Sequence, residues 1–219
     1  MNYLFQEIKE KNKTRIELRF TICVSGAAGG ETVEISDDEA EALGGEIAKR
    51  GNILNTGANV RLPKAAAKGA KEAGGMSVGF SPASSLREHL RKYRLPYEYY
   101  DFLNFTGLEY VGRDLYLVQS SDAVITVGGR FGSLHEFTSA LEAGKPCGVL
   151  IGSGGTADLI PQLMDLLEPP EKSLVVYDSD PNKLIEKIEK ILRKEYDDIR
   201  DQYALKDQFW YSKKQKNKG

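Results

Sequence analysis

One short stretch of the chain has the composition of an anion-binding turn. An apolar run that ends at Val127 leads into Gly128, Gly129, Arg130, Phe131, Gly132 and Ser133. Glycines allow positive φ angles and let backbone N–H groups approach an anion. A helical pattern follows, and the first N–H groups of a helix are unpaired and carry partial positive charge. The stretch therefore predicts a phosphate site, to which Arg130 can add a bidentate contact.

The same stretch also fits a purely structural interpretation. Ser133 and Glu136 have the spacing of a capping box, in which the two side chains satisfy backbone N–H groups at the start of a helix. The glycines would then serve only a tight turn between strand and helix. Taken alone, the pattern leaves both interpretations open.

Two further glycine-rich segments follow apolar runs. Ser25 and Gly26 begin the first segment, after the run 20–24, and Thr56 and Gly57 lie in the second, after the run 52–54. Eleven of the 22 glycines lie at or just past predicted strand ends: Gly26, Gly29, Gly30, Gly57, Gly79, Gly128, Gly129, Gly132, Gly152, Gly154 and Gly155. Parallel α/β sheets bind ligands beyond the carboxyl ends of their strands, so these glycines predict one ligand-binding edge.

Six short apolar runs alternate with helical patterns along the chain. The predicted strands are 20–24, 52–54, 76–80, 123–127, 147–151 and 174–177. Helices are predicted from a capping box at Ser36 and Glu39, over 62–73, from Ser85, over 108–120, from Ser133, over 157–167 and over 181–196. Unalternated strands are buried on both faces, and helical crossovers place them parallel. The fold class is therefore α/β, a three-layer, doubly wound and mostly parallel Rossmann-like sheet.

Two segments between these elements carry more specific expectations. The stretch 93–105 is rich in aromatic residues and predicts an irregular segment that seals a core edge, a pocket or a subunit contact. In the helix over 108–120, Leu108, Val111, Leu115 and Val118 share one apolar face.

Length and composition set the domain organisation and exclude several classes of function. With 219 residues, 41% hydrophobic and 28% charged, we expect one domain over 19–196, an N-terminal extension over 1–18 and a charged tail over 197–219. The net charge of −2 argues against a nucleic-acid partner, and no apolar stretch is long enough for a membrane span. Cys23 and Cys147 lie in apolar runs without metal-ligand spacing, so we expect a cytoplasmic protein without a metal or cofactor.

The stretch Gly-Gly-Arg-Phe-Gly-Ser-Leu-His-Glu resembles the glycine–glycine–threonine–glutamate motif of the LOG (lonely guy) family. These Rossmann-like nucleotide-binding proteins are often labelled "lysine decarboxylases". The segments VSGAAGG and NTGAN match the first two loops of the family, and Arg113 lies where the family carries a catalytic arginine. The resemblance covers about residues 20–151.

The resemblance implies a nucleoside 5′-monophosphate phosphoribohydrolase, which cleaves the N-glycosidic bond, and a homodimer. Arg113 and Glu136 would be the catalytic pair. The nucleotide would contact Ser25, Gly26, Thr56, Gly57 and the turn from Gly128 to Ser133, with Thr56 and Gly57 on the ribose side. A carboxylate that stabilises an oxocarbenium-like sugar and orients water suits this chemistry.

This sequence departs from the family pattern at three positions. Arg130 replaces a glycine of the turn, Ser133 replaces a threonine, and Asp114 stands where the enzymes often have a lysine. Relatives of the same fold include non-catalytic carriers such as molybdenum-cofactor carrier proteins, so a nucleotide or cofactor carrier or sensor is the alternative function. A dinucleotide-dependent oxidoreductase fits poorly, because the first loop lacks G-x-G-x-x-G and Asn55 replaces the ribose-binding acid.

Overall fold

A computed structural model describes residues 19–30 and 32–197 of the chain. Its strands are β1 (Thr21–Gly26), β2 (Ile53–Thr56), β3 (Met76–Ser81), β4 (Phe102–Phe105), β5 (Ala123–Val127), β6 (Cys147–Leu150) and β7 (Val175–Asp178). Its helices are α1 (Thr32–Lys49), α2 (Leu62–Glu72), α3 (Leu86–Arg91), α4 (Glu109–Gln119), α5 (Phe131–Glu142), α6 (Gly155–Leu167) and α7, described over 181–197; a 3₁₀ helix covers Pro170–Leu174. The predicted extension 1–18 and the tail from 198 onwards lie outside the described residues.

The strands form one parallel sheet, which confirms the predicted α/β fold class. Their order is β4-β3-β2-β1-β5-β6-β7, and every neighbouring pair is parallel. All carboxyl ends therefore lie at one edge of the sheet. The direction of winding reverses between β1 and β5, where Gly26 and Val127 are register partners. In this topology the crevice for a ligand lies at that reversal.

Each face of the sheet has its own apolar core. One core joins the sheet to α1, α2 and α7 through residues such as Ile22, Leu43, Leu54 and Ile185. The other joins it to α4, α5 and α6 through residues such as Val124, Phe137, Val149 and Ile160. Among the described residues, no helix has the length and apolar character needed to cross a membrane.

Helices α1 and α2 touch through their backbones. A Cβ atom at Gly44 would overlap the carbonyl oxygen of Ala66, and one at Gly69 would overlap the carbonyl oxygen of Glu41. Only glycine permits so close an approach. Part of the glycine content therefore serves helix packing, away from the strand ends.

Strand β4 was not predicted, and the interpretation of 93–105 as wholly irregular is wrong for its last residues. β4 pairs with β3 at the edge of the sheet, and Phe102 is exposed. Asp101 fixes the start of the strand, because its carboxylate accepts hydrogen bonds from the N–H of Ser77 at 2.8 Å and from Lys71 Nζ at 2.6 Å. A short, half-exposed edge strand has no continuous apolar run, so its sequence pattern was weak.

Two predicted capping boxes are wrong, and a third is partly correct. α1 already includes Thr32, so Ser36 lies inside the helix, and its hydroxyl donates to the Ser153 carbonyl oxygen at 2.8 Å. α5 begins at Phe131, which places Ser133 in the first turn without a capping bond. Ser85 does cap α3 by accepting from the Glu88 N–H at 3.3 Å, but the Glu88 carboxylate bonds Ser84.

Three of the four apolar residues that share one predicted face of α4 are exposed, and only the fourth of them, Val118, is buried. Val111 is 71% exposed, and Leu108 and Leu115 are exposed as well. Leu117 and Val118 reach the core, while Arg113 and Asp114 are buried. Arg113 turns inward because the helix crosses the carboxyl edge of the sheet, where the carbonyl oxygens of Gly57 and Phe80 accept from its guanidinium, and Asp114 accepts from Arg113 in turn.

Candidate functional site

The turn between β5 and α5 has a backbone shape that requires glycine. Gly128 and Gly129 have φ angles of 55° and 101°. A Cβ at Gly129 would lie 2.7 Å from the Ser133 Cβ, well inside contact distance. The next strand end holds the turn in place: the Gly128 N–H donates to Ser153 Oγ at 2.8 Å, and the Ala157 N–H donates to the Gly128 carbonyl oxygen at 2.9 Å.

A row of backbone donors is left unpaired along this turn. The N–H groups of residues 129–133 donate to no other residue in the described part of the chain, and the first bond of the helix runs from Leu134 N to the Arg130 oxygen at 3.0 Å. Ser133 is 4% exposed, and its hydroxyl likewise makes no hydrogen bond to the described residues. These donors, together with the helix dipole, form a setting suited to a phosphate group.

Arg130 and Phe131 are the large exposed side chains of this turn. Phe131 is 87% exposed, and Arg130 is also exposed. The Arg130 stem lies beside the turn that follows β1, with its Cδ 3.5 Å from the position of a Cβ on Gly30. The Arg130 carbonyl accepts from Thr156 Oγ1 at 2.8 Å, which fixes the backbone of the turn. Arg130 therefore lies between the loops that follow β1, β5 and β6.

Glu136 lies beneath the turn, in contact with β1. It is 7% exposed, and the Ser25 hydroxyl donates to its Oε2. Burial raises the pKa of Glu136 to about 7; the Arg113 charge opposes this, the Asp114 charge adds to it, and the Ser25 bond opposes it. Near neutral pH the side chain therefore exchanges a proton, as groups in active sites often do.

Arg113 ties the ends of β2 and β3 to α4. Its Nη1 donates to the carbonyl oxygens of Gly57 and Phe80, the latter at 2.9 Å, and its Nε donates to Asp114 Oδ1 at 3.0 Å. It is 5% exposed. A Cβ at Gly57 would overlap the guanidinium, so Gly57 makes room for Arg113.

The structure brings most of the predicted residues together but gives Thr56 a different environment. Ser25, Glu136 and Arg113 belong to one buried cluster. Thr56 is fully buried, and its hydroxyl bonds the Tyr100 hydroxyl at 3.1 Å and accepts from the Ala58 N–H. Gly26 ends β1, and a Cβ there would lie 2.7 Å from the Leu62 Cβ.

Three residues near the cluster were not predicted as site residues. The Asp114 carboxylate bonds Arg113 through Oδ1 and the His135 Nδ1 through Oδ2, the latter at 3.2 Å. Thr126, the register partner of Ser25, is buried, and its hydroxyl has no partner among the described residues. An aspartate at position 114, where the LOG enzymes often have a lysine, was the sequence signal that could have identified Asp114 as a site residue. Its contact with His135 depends on how α4 packs on α5 and has no such signal.

The sequence profile of the SLOG cluster4 family matches residues 19–185, which is most of the chain. The chain belongs to this family. The family is part of the LOG-like superfamily, so the resemblance found in the glycine motifs is confirmed at that level. An uncharacterized protein of Archaeoglobus fulgidus is 35% identical over 116 residues, 53% of this chain and 71% of its own length.

Solved structures with the same fold include carrier proteins. The X-ray structure of TM1055 matches with a TM-score of 0.69 and 26% identity, covering 79% of this chain and 99% of that one. A molybdenum cofactor binding protein from Rippkaea orientalis matches with a TM-score of 0.67 and 29% identity, covering 80% and 99%. A molybdenum cofactor carrier protein from Chlamydomonas reinhardtii is 28% identical, with a TM-score of 0.67 over 81% and 99%.

Proposed function

We propose that this SLOG cluster4 protein binds a nucleoside 5′-monophosphate or a similar phosphorylated heterocycle at the carboxyl edge of its sheet. The observation that carries the proposal is the row of N–H groups over residues 129–133 that have no partner among the described residues, beside the Ser133 hydroxyl, which has none either. Five backbone donors and one hydroxyl on a helix N-terminus match the oxygens of a phosphate. Arg130 adds a charged contact, and the exposed Phe131 ring offers a surface for a heterocycle.

Binding without turnover is the function that the contacts support best. Two of the Arg113 nitrogens, Nε and Nη1, are already engaged by Asp114 and by the carbonyl oxygens of Gly57 and Phe80. The guanidinium therefore has a structural role that a carrier needs as much as an enzyme does. The likeness to molybdenum cofactor carriers over about four fifths of the chain supports the same conclusion.

Hydrolysis of the N-glycosidic bond is the second candidate, and Glu136 favours it. A buried carboxyl with a pKa of about 7 can give a proton to a departing base or accept one from water near neutral pH. In this mechanism the phosphate is held on the turn while Glu136, paired with Ser25 and lying near Arg113, stabilises the positive charge that develops on the ribose.

One pair of measurements separates the two candidates. Calorimetry with ribose 5-phosphate, AMP and a pterin phosphate tests binding, and chromatography for free base tests turnover. We expect saturable binding that Glu136→Gln retains, with no base released. Release of base by the wild type but not by Glu136→Gln would establish the hydrolase instead. Absence of binding to every phosphorylated compound, with unchanged folding, would overturn the proposed site.

We also propose that the chain forms a homodimer through the exposed apolar face of α4. Leu108, Val111, Leu115 and Tyr116 are all more than 40% exposed on this helix. Continuous apolar surface of this kind is typical of protein–protein contacts. Light scattering should give twice the chain mass, and Val111→Lys should give the chain mass. Leu166→Lys on α6, which also replaces an exposed leucine, is the control and should leave the dimer intact.

A further inference from the structure

Two carboxyl groups and one guanidinium are buried together beneath the phosphate-binding turn. Arg113 and Asp114 are each 5% exposed, and Glu136 is 7% exposed. If both carboxyl groups were ionised, the cluster would carry a net negative charge in a place that water hardly reaches. Burying an uncompensated charge is costly, and a group in this position keeps its proton instead. The cluster therefore favours one proton shared among its acids.

The hydrogen bonds decide which acid holds that proton. Both Asp114 oxygens face nitrogen atoms: Oδ1 accepts from Arg113 Nε at 3.0 Å, and Oδ2 lies 3.2 Å from His135 Nδ1. Glu136 accepts a hydrogen bond from the Ser25 hydroxyl and lies within hydrogen-bond reach of the Asp114 carboxyl group, a contact that two carboxyl groups make only when one of them is protonated. Charge-assisted bonds stabilise the ionised form of the acid that receives them. Asp114 is thus the ionised partner, and Glu136 is the neutral one.

We propose that Asp114 is a positioning residue that holds Arg113 in place and keeps the proton on Glu136, and that the site accepts anionic ligands in this protonated form. The inference rests on the proposed phosphate site and adds its regulation by pH. With Glu136 protonated, the three buried groups sum to zero charge and do not oppose a phosphate. Loss of the proton leaves a net charge of −1 beneath the turn and repels the ligand.

The other groups packed around Glu136 do not account for this titration. Cys23 of β1 stays protonated, because burial and the Glu136 charge raise the pKa of its thiol well above the usual value. β5 has no titratable side chain, and burial raises the pKa of Cys147 in β6 to about 12. In α6, Asp158 accepts from the Gly152 and Gly154 N–H groups, and Asp165 pairs with Lys172.

Two basic side chains remain near the cluster in the described structure, Arg130 and His135. An arginine keeps its positive charge over the whole range. The His135 ring lies 3.2 Å from Asp114 Oδ2, so its contribution to anion binding has to be separated from that of Glu136 by experiment. His135→Gln removes the imidazole while an amide can still donate to Asp114.

Sulfate is the probe for the test, because it remains a dianion from pH 5 to pH 9 and its own charge does not change. With a Glu136 pKa of about 7, the affinity for sulfate should fall about tenfold between pH 6 and pH 8 in the wild type. It should stay constant in Glu136→Gln and fall as before in His135→Gln. In Asp114→Asn the fall in sulfate affinity should begin at least about one pH unit lower, because the negative charge of Asp114 no longer raises the pKa of Glu136.

A direct titration keeps the test independent of ligand binding. Carboxyl ¹³C resonances of glutamate-labelled protein report the ionisation of Glu136, and Glu136→Gln identifies its signal. Asp114→Asn should lower this midpoint, whereas Asp165→Asn, an exposed acid paired with a lysine, should not. An unchanged midpoint in a folded Asp114→Asn protein would overturn the inference, as would pH-independent sulfate binding by the wild type. If sulfate does not bind at all, the proposed phosphate site fails, and the midpoint still decides the role of Asp114.

Discussion

Helices cover both faces of the sheet, but they pack there in different ways. On the face of α1 and α2, glycine and alanine residues bring two helices into backbone contact, and the side chains between these helices and the sheet are mainly apolar. On the face of α4 and α5, buried charges and hydroxyl groups occupy the carboxyl edge above the apolar core. The first face therefore contributes rigidity, and the second keeps polar groups available for a ligand.

This difference determines how each face should respond to substitution. Close backbone contact tolerates no added atom, and its energy does not depend on pH. The buried polar cluster tolerates replacements of equal shape, and its energy does depend on pH. Substitutions at Gly44, Glu136, Ser133 and Thr126 test this contrast, in decreasing order of the expected effect.

The largest effect is expected at the contact of α1 with α2. Gly44→Ala places a methyl group on the Ala66 carbonyl oxygen, and we expect a loss of about 3 kcal/mol or more in the free energy of unfolding, since backbone cannot move aside. Gly45→Ala is the matched control: the nearest atom to its Cβ is 3.7 Å away, so the helix should gain about 0.5–1 kcal/mol. Urea unfolding measures both, and equal effects would contradict the proposed rigidity.

The polar face should show its pH dependence in the stability of the protein. Because the folded pKa of Glu136 is raised from 4.5 to about 7, the folded state binds an extra proton between these values. Its contribution to stability is complete below pH 4.5 and is lost as the pH rises through 7, about 3 kcal/mol in total. Glu136→Gln should abolish this part of the pH profile in urea titrations from pH 4.5 to 8. A parallel profile for the variant would show that Glu136 does not titrate in this range.

Ser133→Ala should weaken phosphate binding with little change in stability. The hydroxyl makes no hydrogen bond within the described structure, so folding does not depend on it. A hydrogen bond to a charged ligand contributes about 1.5 kcal/mol, and we expect the Kd for ribose 5-phosphate to rise about tenfold. Ser139→Ala, farther along α5, is the control. A large loss of thermal stability in Ser133→Ala would indicate a structural role instead.

The smallest effect is expected at Thr126. Its buried hydroxyl has no partner among the described residues, so Thr126→Val should leave stability unchanged or raise it by up to about 1 kcal/mol. Ser121 offers the contrast, because its hydroxyl donates to the Leu117 oxygen at 2.8 Å and accepts from Asn55. Ser121→Ala should lower stability by about 1 kcal/mol in the same assay. Destabilisation by Thr126→Val would mean that the hydroxyl is satisfied in solution.

The sequence predicted those parts of the fold that depend on local patterns. Buried parallel strands and glycine turns leave local signatures, and these located β1, β5 and the turn at Gly128 correctly. Strand β4 was missed because an edge strand is only half buried. The inward face of α4 could not be predicted because Leu108, Val111 and Leu115 face outward, and because the partners of Arg113 and Asp114 include residues of distant elements. Such partners are set by tertiary packing, which overrides helical periodicity.

The same limit applies to the candidate site. The turn and the pair formed by Arg113 and Glu136 could be named from motif and resemblance, since each lies at a recognisable position. The bond from Ser25 to Glu136 spans 111 residues of chain, and the contact of Asp114 with His135 spans 21. No spacing rule connects residues so far apart, so the charge balance of the cluster became visible only in three dimensions.

The backbone contact between α1 and α2 has a consequence for the shape of the ligand site. Two helices in backbone contact leave little room to slide or spread, and each of them follows one of the turns that border the candidate site. One of these turns lies beside Arg130, and the other supplies the Gly57 carbonyl that receives Arg113. Gly44 and Gly69 thus act on the walls of the crevice from a distance, through the packing of the helices that carry them.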